Sequence, residues 1–205
     1  MPKLRRNLVG ILSCLVLAGC AGTPLVVDVS DSIYRGATPI RSAEHHISAL
    51  TIVNKADDGK VVNTTLGSDS IFPIKPETPT RVTVEQDIKR YLGEQLVTDH
   101  SAKRSVYVTI SKADAYWVWG SAAKMPFVGL ALAGANTDIG MNLKVLIEIE
   151  DSGRVISSYQ FDENIVIQDK ATDQGAIAAS YRKLIETYRK KFFQELDTRF
   201  INRYF

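Results

Sequence analysis

The chain has 205 residues, of which 45% are hydrophobic and 23% are charged, and its formal net charge at pH 7 is +2. This composition is typical of a globular protein and excludes a largely disordered chain. The nearly balanced charge also argues against a nucleic-acid-binding protein, which would carry a strongly basic domain.

The start of the chain has the pattern of a secretory signal peptide. Three cations in MPKLRR precede an uncharged apolar stretch that ends in small residues before Cys20. The stretch is shorter than the roughly 20 apolar residues of a membrane span. We therefore predict that residues 1–19 are cleaved, and the loss of Lys3, Arg5 and Arg6 changes the formal charge from +2 to −1.

Residues 17–20, LAGC, resemble the lipobox of bacterial lipoproteins. The resemblance implies cleavage before Cys20, a diacylglyceryl thioether on its sulfur and acylation of the new amino terminus. Several acyl chains anchor a protein stably, whereas a single chain binds only marginally. Because Ala21 rather than aspartate follows, the sorting rule of the family implies the outer membrane, with the domain in the periplasm. The other cysteine, Cys14, leaves with the signal peptide, which excludes disulfides and thiol chemistry in the mature chain.

Residues 20–46 are predicted to be the lipidated N-terminus and a flexible linker. They combine two prolines with small polar residues and no sustained periodicity, although residues 25–29 could form a short strand. His45 and His46 would point to opposite faces of a strand. With His100 the only other histidine, we interpret them as an exposed polar pair rather than metal ligands.

The domain is predicted to span residues 47–205 and to begin with a hairpin. Residues 47–54 and 60–66 are rich in strand formers and flank the turn signal at Asp58 and Gly59. Three prolines within residues 70–79 then indicate a loop or an edge strand.

A helix of about four turns is predicted next. Residues 83–86, TVEQ, fit a capping box, and the apolar residues behind it recur at near-helical spacing as far as Leu96. We expect this helix to begin at Thr83 and to end near Asp99.

Three strand candidates follow, at residues 104–119, 142–151 and 155–168. The second has the clearest alternation of apolar and polar residues, which is typical of an antiparallel sheet with one solvated face. Its predicted core-facing residues are Leu143, Val145, Ile147 and Ile149. Residues 151–153, DSG, predict a tight turn that makes a hairpin of the last two strands.

The chain ends in a predicted amphipathic helix from about Asp173 to Arg199. Its apolar stripe consists of Ile177, Tyr181, Leu184, Tyr188, Phe192, Leu196 and Phe200. A stripe of this length is expected to cover a sheet, because packing of one face is what normally stabilises a helix. The basic residues on its other faces are interpreted as a solvated surface, with contact to anionic lipid headgroups as the alternative.

Together these elements predict a single α+β domain, in which an antiparallel sheet of about four to five strands carries two helices on one face. Their order over roughly residues 80–200 resembles the YajG-type family of small Gram-negative outer-membrane lipoproteins. A capped helix precedes a strand that ends in an aromatic residue, and a hairpin with a glycine turn precedes an amphipathic helix. The resemblance implies the fold, and it assigns no binding residue beyond Cys20.

The segment MPFVGLALAGA, residues 125–135, is apolar, uncharged and close behind Trp117 and Trp119. One interpretation is a loop or short helix against the core. The other is an exposed apolar surface that contacts a partner protein, a lipid tail or the membrane surface. The candidate contact residues are Trp117, Trp119, Phe127, Val128, Leu130 and Leu132.

No catalytic or metal-binding motif occurs in the sequence: it has no G-x-S-x-G, P-loop, G-x-G-x-x-G or H-E-x-x-H pattern. The carboxylate pairs at residues 57–58 and 162–163 are interpreted as solvated charges. We therefore predict no enzyme, metal or cofactor, although distant residues could still assemble a catalytic site. The favoured function is an accessory or scaffold lipoprotein that binds another envelope component, and the alternative is a lipid-handling auxiliary of an envelope transport system.

Overall fold

The computed structural model describes residues 25–29, 45–60, 69–120 and 136–205. In chain order these residues form β1 (His46–Ile47), β2 (Ala49–Asn54), β3 (Ser70–Pro73), α1 (Thr80–Gln95), β4 (Val97–Thr98), β5 (Arg104–Trp119), β6 (Thr137–Asp151), β7 (Arg154–Asp169) and α2 (Gln174–Leu196). A π-helical turn, Asp197–Ile201, and a short helix, α3 (Asn202–Tyr204), end the chain. None of the helices in this part of the chain is long and apolar enough to span a membrane.

The main sheet has the strand order β2-β5-β6-β7, and β3 pairs with the far half of β5. Neighbouring strands are antiparallel except β2, which runs parallel to β5. The predicted α+β domain with two helices on one face is confirmed, but the sheet is mixed rather than antiparallel. The helical crossover through α1 makes the parallel pair possible, because parallel neighbours need a long connection between them.

Residues 47–54 do not form the single hairpin strand that was predicted. Ser48 separates β1, which pairs with β4, from β2, which pairs with β5. Lys60 lies in no strand, and residues 61–66 of the predicted hairpin lie outside the described residues. Leu50 and Ile52 of β2 pack against the core. The pairing with β5 is therefore favoured by a long-range apolar contact that the local turn signal does not reveal.

The predicted β6–β7 hairpin is confirmed. A two-residue turn joins the paired residues Asp151 and Arg154, and φ is 52° at Ser152 and 81° at Gly153. Positive φ at both central residues is the type I′ geometry, which matches the twist of two-residue hairpins. The predicted core-facing residues of β6 are buried, and Ile147 is 0% exposed.

Helix α1 begins earlier than the predicted capping box. Pro79 is its N-cap residue, and the Pro79 carbonyl accepts bonds from the amides of Val82 and Thr83. The prediction of Thr83 as the cap is wrong, because Thr83 lies inside the helix with its side chain buried. The helix also ends at Gln95 rather than near Asp99, since Val97 and Thr98 extend to pair with β1.

The predicted C-terminal helix is confirmed as α2, which begins after Asp173. The Asp173 carboxylate accepts a hydrogen bond of 2.9 Å from the amide of Ala176, as an N-cap residue should. The apolar stripe is buried apart from Ile177, which is half-buried. Helices α1 and α2 lie side by side and run in the same direction, as three contacts in sequence order show: Thr80 with Tyr181, Asp87 with Arg189, and Tyr91 with Phe193.

Candidate contact surface and the segment that crosses the helices

Three aromatic rings meet at the end of the sheet where β5 ends. Phe72 and Trp117 are register partners, and their rings stack with centroids 4.9 Å apart and an interplanar angle of 21°. The ring of Trp119 lies 6.2 Å from that of Phe72 and 6.5 Å from that of Trp117. These separations are typical of favourable aromatic pairs. We call Phe72, Trp117 and Trp119 the aromatic cluster.

A β-bulge in β5 decides which face the cluster occupies. Val108 and Ile110 face the core before the bulge, and Ala113 and Ala115 face it afterwards, because the register shifts between Ile110 and Lys112. One extra residue in a strand reverses the alternation that follows it. Trp117 therefore lies on the core side and packs against the core, rather than on the solvated side of the sheet.

The structure brings together Trp117 and Trp119 of the predicted contact surface, and all three rings of the cluster are half-buried. The other predicted contact residues, Phe127, Val128, Leu130 and Leu132, lie outside the described residues, as does Cys20. The membership of Phe72 was missed, because the prolines after it indicated only a loop or an edge strand. The apolar pair Ile71–Phe72 before Pro73 was the available signal for the short edge strand that forms.

A second feature is a segment near the N-terminus that is fastened across the helices. We call residues 25–29 the strap. The amide of Leu25 donates to the carbonyl of Lys75 at 2.8 Å, and the amide of Glu77 donates to the carbonyl of Leu25 at 2.9 Å. Arg182 donates to the Asp28 carbonyl at 3.1 Å. These contacts differ from the flexible linker that was predicted for this stretch.

The side chains of the strap alternate as in a strand. Leu25, Val27 and Val29 pack against the core, whereas Val26 is 79% exposed. The backbone bonds and this apolar contact act together, since either alone would hold five residues weakly against the entropy of ordering them. The strap is therefore part of the folded domain.

Beneath the strap, a buried ion pair joins the two helices. The Arg189 guanidinium donates to both oxygens of Asp87, at 2.7 and 2.8 Å, and both side chains are 4% exposed. The third nitrogen of the Arg189 guanidinium donates to the Val29 carbonyl of the strap at 2.7 Å. Arg90 also donates to Asp87 at 3.2 Å. This bidentate geometry is the strong form of an arginine–carboxylate pair.

A cavity of about 290 Å³ lies beside this pair, between the strap and the two helices. Tyr181 lines it, and burial raises the pKa of the Tyr181 phenol above its ordinary value. Asp87 is already bonded to two guanidinium groups. Asp87, Arg90 and Arg189 in the cavity are therefore paired with each other, which indicates a role in fastening the helices and the strap.

The two histidines near the domain entrance differ in environment. His46 is exposed, with its Nδ1 3.4 Å from an oxygen of Asp99. His45 is 7% exposed and lies edge-on to the ring of Phe205, at 5.7 Å between centroids. The prediction of opposite faces is confirmed, and the prediction of an exposed pair is wrong for His45, because the β1–β4 ladder and the C-terminus close over it. Across the described ranges, no three His, Cys, Asp or Glu side chains are grouped to hold a metal ion.

Of the carboxylates that were weighed for acid–base chemistry, Asp58 and Asp162 are exposed, Glu163 is half-buried, and all three are ion-paired. Asp162 lies 2.6 Å from Lys144, Glu163 lies 2.9 Å from Lys191, and Asp58 lies 3.2 Å from Arg81. Such pairs on a protein surface contribute little to stability. Their arrangement gives none of them the features of a positioned catalytic group.

No family model and no curated protein matches the sequence. Among solved structures, the chain is similar to a Xanthomonas campestris protein of the DUF330 family, with 13% identity, 83% of this chain and 92% of that chain covered, and a TM-score of 0.42. A minor lipoprotein from Acinetobacter baumannii is similar at 16% identity, 73% and 91% coverage and a TM-score of 0.34. A homolog of neuraminyllactose-binding hemagglutinin from Helicobacter pylori follows at 12% identity, 84% and 97% coverage and a TM-score of 0.34. At these identities and TM-scores, we draw no functional conclusion from the similarities.

Proposed function

We propose that this protein is a non-enzymatic lipoprotein of the Gram-negative outer membrane, anchored through Cys20, that acts as an accessory or scaffold for another envelope component. The proposal also places the protein in the YajG-type family, and the order of the elements over roughly residues 80–200 supports this. The observation that carries the contact role is the aromatic cluster at the end of the sheet. The lipobox at residues 17–20 supports the anchor and the envelope location.

The aromatic cluster suits a binding role because of its position beyond the main helix cover. Val108 and Ile147, on the same face of the sheet, are 0% exposed, whereas the rings of Phe72, Trp117 and Trp119 are half-buried. Large aromatic side chains with accessible area provide most of the binding energy at many interfaces. A cluster of three such rings offers a ready anchor for a partner.

The alternative function, a lipid-handling auxiliary, requires an apolar cavity for an acyl chain. The two cavities described, of about 290 and 220 Å³, are lined partly by charged side chains, and neither is lined by Trp117 or Trp119. We therefore rank the accessory role first.

The anchor is tested by the substitution Cys20→Ala. We expect it to abolish labelling by a fatty-acid analogue and to leave the protein uncleaved or free of the membrane, because the acyl chains are the anchor. Ala21→Asp should move the labelled protein to the inner membrane in fractionation. Equal labelling of Cys20→Ala and the wild type would contradict the lipoprotein assignment.

The contact surface is tested by crosslinking in intact cells. Trp119→Ala should reduce the yield of crosslinks to envelope components, whether protein or lipid, whereas Ile156→Ala, which removes an exposed apolar residue from the other end of the sheet, should not. Phe127→Ala and Leu130→Ser extend the test to the apolar segment. Thermal unfolding of each variant separates loss of contact from loss of fold, and equal yields for Trp119→Ala and Ile156→Ala would refute the contact role.

A further inference from the structure

We propose that the strap turns the aromatic end of the domain toward the bilayer that holds the acyl chains, and that the aromatic cluster contacts the lipid headgroup region of that bilayer. This inference rests on the proposed lipidation of Cys20. In this inference, the envelope component that the aromatic cluster binds is the surface of the membrane.

The first step is the length of the tether. Leu25 is fixed to the domain by its bonds to Lys75 and Glu77, and Cys20 lies five residues upstream. Five residues span at most about 18 Å, whereas the 25 residues from Cys20 to His45 could span about 90 Å. The strap therefore shortens the free tether about fivefold and keeps the domain beside the membrane.

The second step is the direction in which the chain leaves the domain. Leu25 forms a parallel β-bridge with Pro76, so the chain runs in the same direction through the strap and through residues 75–77. Followed backwards toward the N-terminus, both segments therefore lead toward the same end of the domain. That direction leads back to β3, where Ser70 and Phe72 pair with Trp119 and Trp117. The tether therefore emerges on the side of the aromatic cluster.

The other end of the sheet lies away from the tether. There, Arg104 pairs with Asp151 beside the β6–β7 turn, and its guanidinium donates to the carbonyl of Tyr204 at 3.0 Å. The downstream end of the strap, at Val29, reaches Arg189 in the second half of α2. A domain held at Leu25 thus presents its aromatic end to the bilayer and its C-terminal end to the periplasm.

The third step is the chemistry of the contact. Indole rings prefer the membrane–water interface, because they combine a large apolar area with one hydrogen-bond donor. Among the described residues, four carboxylates lie near this end, and one of them, Asp169, is paired with Lys183: they are Asp69, Asp138, Asp169 and Asp173. The contact must therefore depend on apolar burial rather than on attraction to anionic lipid, and zwitterionic lipid should support it.

The chain provides its own probe for this contact. It has two tryptophans, and both belong to the aromatic cluster. We would reconstitute the full-length acylated protein in phosphatidylcholine vesicles that contain nitroxide-labelled lipid, with the nitroxide near the headgroup. We expect the protein to lose most of its tryptophan emission there, and to keep it in vesicles without nitroxide.

The matched control moves the probe to the opposite end of the domain. The variant Trp117→Phe/Trp119→Phe/Tyr204→Trp keeps aromatic side chains in the cluster and places a single tryptophan beside Arg104. Its emission should be unaffected by the nitroxide lipid. A second variant, with a long Gly/Ser segment inserted between Thr23 and Pro24, lengthens the tether and leaves the strap intact, and its quenching should fall.

The outcomes separate this inference from the proposed function. If mass spectrometry shows acylation and the protein sediments with the vesicles while its tryptophans stay unquenched, the orientation is wrong and the lipoprotein assignment stands. If no acyl chain is found, the proposed function fails first. Equal quenching of the wild type and the Tyr204→Trp variant would overturn the orientation, and quenching unchanged by the Gly/Ser insertion would overturn the role of the strap.

Discussion

The helix-covered middle of the sheet and its aromatic end share one face but differ in cover. Val108 and Ile147 in the middle are 0% exposed, whereas Trp117 and Phe72 at the aromatic end are half-buried. Inward and outward side chains alternate within each region, and the β5 bulge between them keeps Trp117 on the same face as Val108. The difference teaches that alternation selects the face of the sheet, while the placement of the helices decides how deeply a residue on that face is buried.

The start of α2 shows where that cover begins. Gln174 opens the helix just after β7 ends, and Ile177, the first residue of its apolar stripe, is only half-buried. From Tyr181 onward the stripe residues are buried. The aromatic cluster therefore lies at the margin of the helix layer, and substitutions in the two regions should have different costs.

The largest expected effect is that of Ile147→Asp in the covered middle. It places an unpaired carboxylate in the core, and we expect a loss of more than about 4 kcal/mol in the free energy of unfolding, enough to unfold the domain. Glu148→Ala, one residue along on the other face, should change the free energy by no more than about 0.5 kcal/mol. Denaturant titrations that found similar effects would show that the alternation is assigned in the wrong register.

The next largest effect is expected for the ion pair between the helices. Arg189→Met leaves Asp87 in a buried site with only Arg90 beside it, and removing one partner of a buried pair costs about 3–5 kcal/mol. The double variant Asp87→Leu/Arg189→Met should be closer to the wild type, because no charge is left uncompensated. Chemical denaturation of all three proteins measures the difference, and additive losses would contradict this explanation.

An intermediate effect is expected at Gly140 of β6, where an added side chain would meet the Tyr116 ring of β5. Gly140 pairs with Tyr116, and a Cβ on Gly140 would overlap the Tyr116 ring, which is held in place by a hydrogen bond of 2.8 Å to Asn164. Gly140→Ala should therefore cost about 1–3 kcal/mol, as overpacking does. The matched control is Gly93→Ala in α1, where no atom lies near the new Cβ. That change should stabilise the protein by up to about 1 kcal/mol in thermal unfolding.

The smallest effect is expected at the aromatic end itself. Trp119→Ala should cost about 1–2 kcal/mol, less than the 1.5–3 kcal/mol of a fully buried side chain, because part of the Trp119 side chain is exposed. Phe192→Ala, in the covered region, should cost about 3–5 kcal/mol. A loss for Trp119→Ala as large as that for Phe192→Ala would place the cluster in the core and remove the candidate contact surface.

The sequence by itself determined the elements whose signals are local. The β6–β7 hairpin follows from alternation on both sides of a turn with glycine at its second position, and α2 follows from one long apolar stripe after Asp173. Trp117 and Trp119 could be placed together for the same reason, since residues two apart on a strand share a face. The lipobox at Cys20 is likewise a local pattern, and its assignment stays a prediction.

The tertiary structure alone decided the features that depend on partners far away in the chain. Phe72 joins the cluster through pairing with Trp117, and the β5 bulge places that cluster on the core side. Strand β2 finds a parallel partner in β5, and the strap binds at Lys75. The pairings of Phe72 with Trp117, of β2 with β5 and of the strap with Lys75 each join segments more than 40 residues apart. Local propensity cannot predict such pairings, because their stability comes from the apolar area and hydrogen bonds gained only when the distant segments meet.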